Sequence, residues 1–244
     1  MSAVNRLDFV KERIRRLLTE LPGSIWGVAD IVRVLEEEPD ALAHMEGVGR
    51  FKRAVVVAAP LPRGAFADLK DAPTPLYMHH YRQLNYLLDR AAYGLALALE
   101  AAGFRAVCVP ASQYVQMQPH PRGHISHRVL AFHAGLGFIG RSRLLIHRRH
   151  GPRVRLVSVL TDAPLTPAAG TVPFDCGDCT ACVEACPAGA VRLSSEDYDL
   201  DACFAKLREF RKIPFVGQHI CGVCIKVCPK GRTSAAGSDP ATSA

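Results

Sequence analysis

Between Glu100 and Asp162 the sequence contains no aspartate and no glutamate. The same stretch carries Arg105, Arg122, Arg128, Arg141, Arg143, Arg148, Arg149, Arg153 and Arg155, together with six of the ten histidines. A solvated face ordinarily mixes charges of both signs, so this one-sided segment argues for an anionic partner such as a cofactor phosphate, RNA or an acidic protein. Long apolar runs are also missing. None approaches the ~18 residues that a bilayer span needs, which excludes a transmembrane helix. The N-terminus lacks the apolar region of a signal peptide, because Asp8, Lys11, Glu12 and Arg13 interrupt it. A reducing cytoplasm is the expected compartment, and the nine cysteines are then metal ligands rather than disulfide partners.

Eight of those cysteines lie between positions 176 and 228. Cys176, Cys179, Cys182 and Cys186-Pro187 follow the C-x2-C-x2-C-x3-C-P spacing of two-cluster ferredoxins. A second run, Cys221, Cys224 and Cys228-Pro229, has Gln218 where a full repeat needs cysteine. The crossed rule of such motifs gives one [4Fe-4S] cluster to Cys176, Cys179, Cys182 and Cys228. The other receives Cys186, Cys221 and Cys224, and Cys203 is the cysteine left to complete it. The alternative is an open or three-iron cluster with Cys203 a small buried apolar residue. Zinc competes for any paired cysteines, but two interlocking sets each ending in Cys-Pro favour iron–sulfur clusters.

Upstream, Val4, Leu7, Val10, Ile14, Leu17, Leu18 and Leu21 repeat at helical spacing and stop at Pro22-Gly23. A short strand follows at 26–29 and a helix at 31–38. The continuous apolar run 54–59 predicts a buried central strand. A long helix with Leu84, Leu87, Leu88, Ala91, Leu95, Ala98 and Leu99 on one face leads to a strand at 104–110, expected as a parallel α/β unit. The polar loop 111–123 suits the wall of a site. Gly135, Gly137 and Gly140 form G-x-G-x-x-G, but after a helix and before a strand, so a dinucleotide fold is rejected. What remains is a sharp turn or the close approach of something bulky. Segments 143–147 and 154–160 are expected to pair as a hairpin. Residues 163–173 read as a linker, and 233–244 as a disordered tail.

At Ala134–Arg141, Leu160-Thr161-Asp162 and the cysteine runs, the chain resembles the epoxyqueuosine reductases and the catalytic core of cobalamin-dependent reductive dehalogenases. The resemblance covers most of residues 25–230, and the lone cysteine between the two runs, Cys203, matches a family ligand. It implies a corrinoid-binding, nitroreductase-like α/β domain (1–172) followed by a small two-cluster ferredoxin-like domain (173–232). It further implies a low-potential donor of ferredoxin or flavodoxin type, two [4Fe-4S] clusters, and base-off cobalamin reducing an organic substrate. The cofactor-binding candidates are His127, Gly135, Gly137, Phe138, Gly140, Arg141 and Thr161. Family members use an acidic proton donor in the loop before the glycines. This chain has none there, which leaves Tyr81, His120 and His124 as catalytic candidates. A second reading is an electron-transfer or activator protein for a corrinoid partner protein, and a third is tRNA binding on the basic segment.

Overall fold

The computed structural model describes residues 3–170 and 175–230. Helix α1 (Ala3–Thr19) buries Val10, Ile14 and Leu17 along one stripe. Strand β1 (Ile25–Asp30) ends at Asp30, whose carboxylate accepts from the Val32 N–H at 2.9 Å and caps α2 (Ile31–Glu37). After β2 (Arg53–Pro60), Thr74 accepts from the Tyr77 N–H and Pro75 fills the first turn of α3 (Pro75–Ala101). Then come β3 (Ala106–Val109), α4 (His127–His133), β4 (Phe138–Ile139), β5 (Leu145–Ile146) and β6 (Val154–Thr161).

The main sheet has the order β1-β2-β6-β3, and every neighbouring pair is antiparallel. The expected parallel unit therefore takes another form. β2 and β3 run the same way, since both oppose β6, but β6 lies between them. The apolar run of β2 records burial on both faces. Val55, Val57 and Ala59 enter one core with Ile14, Leu88 and Leu95, whereas Ala54, Val56 and Ala58 enter another with Ile31, Val34 and Leu130. Helices on both faces of an antiparallel sheet produce the same continuous pattern as a parallel partner, so the pattern alone cannot separate them.

Two further expectations are corrected. β5 pairs with β4, in the register Phe138↔Ile146 and Ile139↔Leu145, and not with β6. Both edges of β6 are already taken by β2 and β3, so no hydrogen-bonding edge is left for β5. Leu87 is exposed rather than in the buried stripe of α3, which comprises Leu84, Leu88, Leu95 and Leu99.

The cysteine-rich segment holds three short helices, α5 (Ala181–Glu184), α6 (Leu200–Phe210) and α7 (Val223–Val227). It packs directly on the α/β layers. Val216, Ile220 and Val223 join the core that contains Leu69, Tyr77 and Leu165. Gly222, at φ 91°, lets the backbone pass where a Cβ would come within 2.8 Å of the Leu69 and Tyr77 side chains. The Lys226 ammonium donates to the carbonyls of Ala67 and Leu69. The first part of the expected linker is tied down as well, since the Ala168 N–H donates to Val28 (2.9 Å) and Arg53 Nε to the Leu165 carbonyl (2.8 Å). The expected boundary at 172–173 and the expected tail at 233–244 lie outside the described residues.

Candidate functional site

The cysteines of the two runs and Cys203 come close to one another. Burial pushes the Cys228 thiol up to about 11, against a backbone hydrogen bond at Lys230, and Cys182, Cys176 and Cys179 add to the rise. Burial also raises Cys182, with Cys176 and Cys179 beside it. Arg141, Ser142 and Ile146 wall the space among these four sulfurs. Burial likewise pushes Cys221 up to about 11, against a backbone hydrogen bond at Val223, and Cys203 and Cys186 add to the rise. Cys224 is raised by burial and then by Cys221, Cys203, Cys182 and Cys186. Cys203 on α6 lies among the neighbours of Cys221 and Cys224. Cys224 also lines the space around Cys176, Cys179, Cys182 and Cys228.

Thiols crowded in a low-dielectric site cannot all ionise unless a cationic centre compensates them. Four such soft donors around one space suit an iron–sulfur cubane. Among the described residues, no three His, Cys, Asp or Glu side chains converge on a single-ion position. A cubane presents its irons at separate corners, so its ligands stand further apart than those of one ion.

The Gly-rich turn carries the α/β layers onto the first cysteine run. A Cβ on Gly137 would lie 2.4 Å from the Ile146 carbonyl oxygen. One on Gly140 would lie 2.8 Å from Ile146 Cγ1 and 3.3 Å from Cys176 Sγ. The bulky object that these glycines admit is therefore β5 and the first cysteine. Gly135 supplies the left-handed turn out of α4, at φ 72°. Phe138 is buried in the layer beneath. Arg141 bridges the two parts of the chain, with Nε donating to the Leu193 carbonyl (2.7 Å) and Nη1 to that of Cys179 (2.8 Å).

Thr161 is fully buried, whereas His127 is half-buried and lines the cavity that also holds Tyr81 and His124. His127 Nε2 meets the Pro110 carbonyl at 2.9 Å, which requires a proton there, so Nδ1 accepts from the Ser158 hydroxyl at 2.8 Å. Burial pushes its pKa down to about 4. Thr161 Oγ1 donates to Arg105 and accepts from the Ala163 N–H.

The catalytic candidates divide. Tyr81 and His124 line one cavity of about 210 Å³ with Ser112, Gln113 and Tyr114. The Tyr81 hydroxyl is 2.9 Å from Ser112 Oγ, and the Arg155 guanidinium sits 4.3 Å from the centre of its ring. Arg155 is itself held by Asn85 Oδ1 (2.9 Å) and the Ala111 carbonyl (3.2 Å), with Nη2 3.3 Å from Tyr81 Oη. Burial pushes the Tyr81 phenol up. Arg155 and the hydrogen bonds from Ser112 and Asn85 outweigh it and bring the phenol below its ordinary value. His120 stands elsewhere, its Nδ1 buried and 3.2 Å from Asp201 Oδ1 of α6 without hydrogen-bond alignment. A larger cleft of about 570 Å³ lies between Met117-Gln118 of the loop and Phe204, Arg208, Arg211 and His219. Arg155 and Ser112 were within the basic segment and polar loop noted in the sequence, but nothing in the chain order joined them to Tyr81.

No protein-family model matches the chain. It is 30% identical over 217 residues to an epoxyqueuosine reductase of Aliivibrio fischeri, a match covering 82% of this chain and 53% of that protein. The chain thus spans about half the length of that relative. An epoxyqueuosine reductase solved with an epoxyqueuosine-modified tRNA stem loop superposes with a TM-score of 0.58 at 20% identity, over 97% of this chain and 68% of that one. A reductive dehalogenase whose structure suggests a mechanism for B12-dependent dehalogenation gives a TM-score of 0.68 at 19% identity, over 91% of this chain and 32% of that one. These structural likenesses share the mixed α/β fold. With its cysteine runs and Gly-rich turn, the chain is similar over most of its length to epoxyqueuosine reductases, and it shares the mixed α/β fold with the reductive dehalogenase.

Proposed function

We propose that this chain is an iron–sulfur reductase working with a corrinoid, with Tyr81 as its proton donor. The observation that carries the reading is the convergence of half-buried thiols from both cysteine runs, five of them around one space. When bound, two [4Fe-4S] clusters and a low-valent cobalt centre supply low-potential electrons. Cys176, Cys179, Cys182 and Cys228 would hold one cluster, and Cys186, Cys203, Cys221 and Cys224 the other. The nitroreductase-like part, 1–172, would bind the corrinoid against the ferredoxin-like part, 173–232. The cleft beside Phe204 and His219 has the volume of a ligand site, and its Phe204 follows Cys203 in α6. Its Arg208, Arg211 and Lys212 suit an anionic tail.

Tyr81 gives up its Oη proton more readily than an ordinary phenol, because Arg155 stabilises the phenolate left behind. The acid-free loop supports such a role, with His124 as the other candidate on this cavity. His124, on the same cavity wall, would orient the substrate. A low-potential donor of ferredoxin or flavodoxin type and a cytoplasmic setting accord with thiolate ligands. The relative solved with a tRNA stem loop makes a modified base on RNA the first substrate to try. The test is anaerobic, substrate-dependent oxidation of reduced viologen by the cluster- and corrinoid-loaded chain. Tyr81→Phe should lower kcat by about 10²-fold or more with cofactor binding kept. Equal turnover by the variant would remove Tyr81 from the chemistry.

A second reading, electron delivery to a corrinoid partner protein, is favoured by the basic segment. It requires docking that weakens steeply with salt and no substrate-dependent turnover by the chain itself.

A further inference from the structure

Arg141 stands where the Gly-rich turn meets the first cysteine run. Gly140, just before it, leaves room for Cys176 Sγ, which a Cβ there would approach to 3.3 Å. Arg141 Nε donates to the Leu193 carbonyl at 2.7 Å and Nη1 to the Cys179 carbonyl at 2.8 Å. These two bonds hold the half-buried side chain on the wall of the space that Cys176, Cys179, Cys182, Cys224 and Cys228 line. Among the described residues, Nη2 has no acceptor and the guanidinium has no carboxylate within ion-pair distance. Lys230, exposed, is the other cation on that wall, and no described aspartate or glutamate lines the space. The arginine is thus fixed by neutral carbonyls, and no partner cancels its charge. Against the burial that raises the Cys182 thiol, that charge favours the thiolate.

We propose that Arg141 sets the reduction potential of the cluster held by Cys176, Cys179, Cys182 and Cys228, making it easier to reduce. The inference rests on the iron–sulfur reading of those cysteines. Reduction brings one electron from a low-potential donor to a cluster whose thiolate shell is already anionic. No bond forms or breaks, and no proton has to move. Positive charge fixed beside such a centre favours its reduced form, the more so where water is excluded. A lysine ammonium supplies a point charge, but the planar fork of arginine also takes two carbonyls in set directions and so is held in place. The effect biases the electron towards the cluster that abuts the Gly-rich turn. The competing role for Arg141 is that of a tether alone, which would change stability and leave the potential where it is.

The test is a redox titration with dithionite and mediator dyes, followed by EPR, on the full chain with its clusters loaded. It compares the parent with Arg141→Gln, Arg141→Lys and Lys230→Gln, and Arg16→Gln on the exposed face of α1 is the control. In Arg141→Gln we expect one of the two reduction waves to move to lower potential. At the parent's midpoint the ratio of reduced to oxidised cluster should fall about tenfold or more, which is about 59 mV for one electron. Arg141→Lys should melt at a lower temperature, having lost the carbonyl bonds, yet keep most of the parent's potential. Lys230→Gln cuts no tether and should move the same wave the same way by less. That variant decides the matter if Arg141→Gln loads too little iron to titrate. The control should leave both waves in place. Unmoved waves in Arg141→Gln, an equal shift in Arg141→Lys, or equal movement of both waves would overturn the inference while the clusters stand. A parent that holds no iron–sulfur cluster would overturn the reductase reading along with it.

Discussion

His127 shows how one buried side chain makes the fold sensitive to acid. Its folded pKa of about 4 lies below the ordinary 6.5, because burial disfavours the imidazolium. Above pH 6.5 the ring is neutral in both states and its contribution is complete. As pH falls from 6.5 towards 4, the unfolded chain takes up a proton that the folded ring refuses. Stability should drop by up to roughly 3 kcal/mol across that window. His127→Gln should flatten this part of the urea-midpoint profile against pH, and a profile as steep as the parent's would refute the assignment. Gly140 makes a complementary point about space. Alanine there meets Ile146 and approaches Cys176 Sγ, so Gly140→Ala should cost about 1–3 kcal/mol in thermal melts. At this scale the cysteine runs stand out in the sequence, because their spacing is that of a two-cluster motif. The hydrogen bonds of His127 and Thr161 do not, since a polar residue in an apolar stretch reads the same whether it faces a ligand or a carbonyl.

Helix α6 is the element on which the second set depends. Asp199 accepts from the Ala202 N–H at 2.8 Å and fixes its start, and Cys203 follows one turn later, beside Tyr198. Replacing Cys203 by alanine should lower the iron content from about eight to about seven or fewer per chain, with a three-iron EPR signal or loss of one cubane signal. Unaltered iron and EPR would mean that another group completes the cluster. The helices and central strand were readable from their apolar periods. The β4–β5 pairing was not, because a two-residue strand has no period and its partner is decided by which edges the longer strands leave open. For the same reason the antiparallel order of the main sheet could not be read from β2, whose sequence reports burial rather than direction.

Over the whole molecule, the cysteine segment and the α/β layers form a single packed unit among the described residues. Val223 and Gly222 enter the core around Tyr77, Arg141 holds the carbonyls of Cys179 and Leu193, and Lys226 ties α7 to the loop before α3. Loss of the clusters should therefore loosen the α/β part as well. Apo-protein made by chelation should melt in one transition at a lower temperature than the loaded form, and an unmoved melting point would show the two parts to be independent. The proposed reductase requires a corrinoid seated against these clusters. Anaerobic titration of the cluster-loaded chain with cob(II)alamin, followed by EPR, tests that requirement most directly. The account expects a base-off cobalt signal that saturates at about one corrinoid per chain. A spectrum unchanged from that of free cobalamin would contradict it.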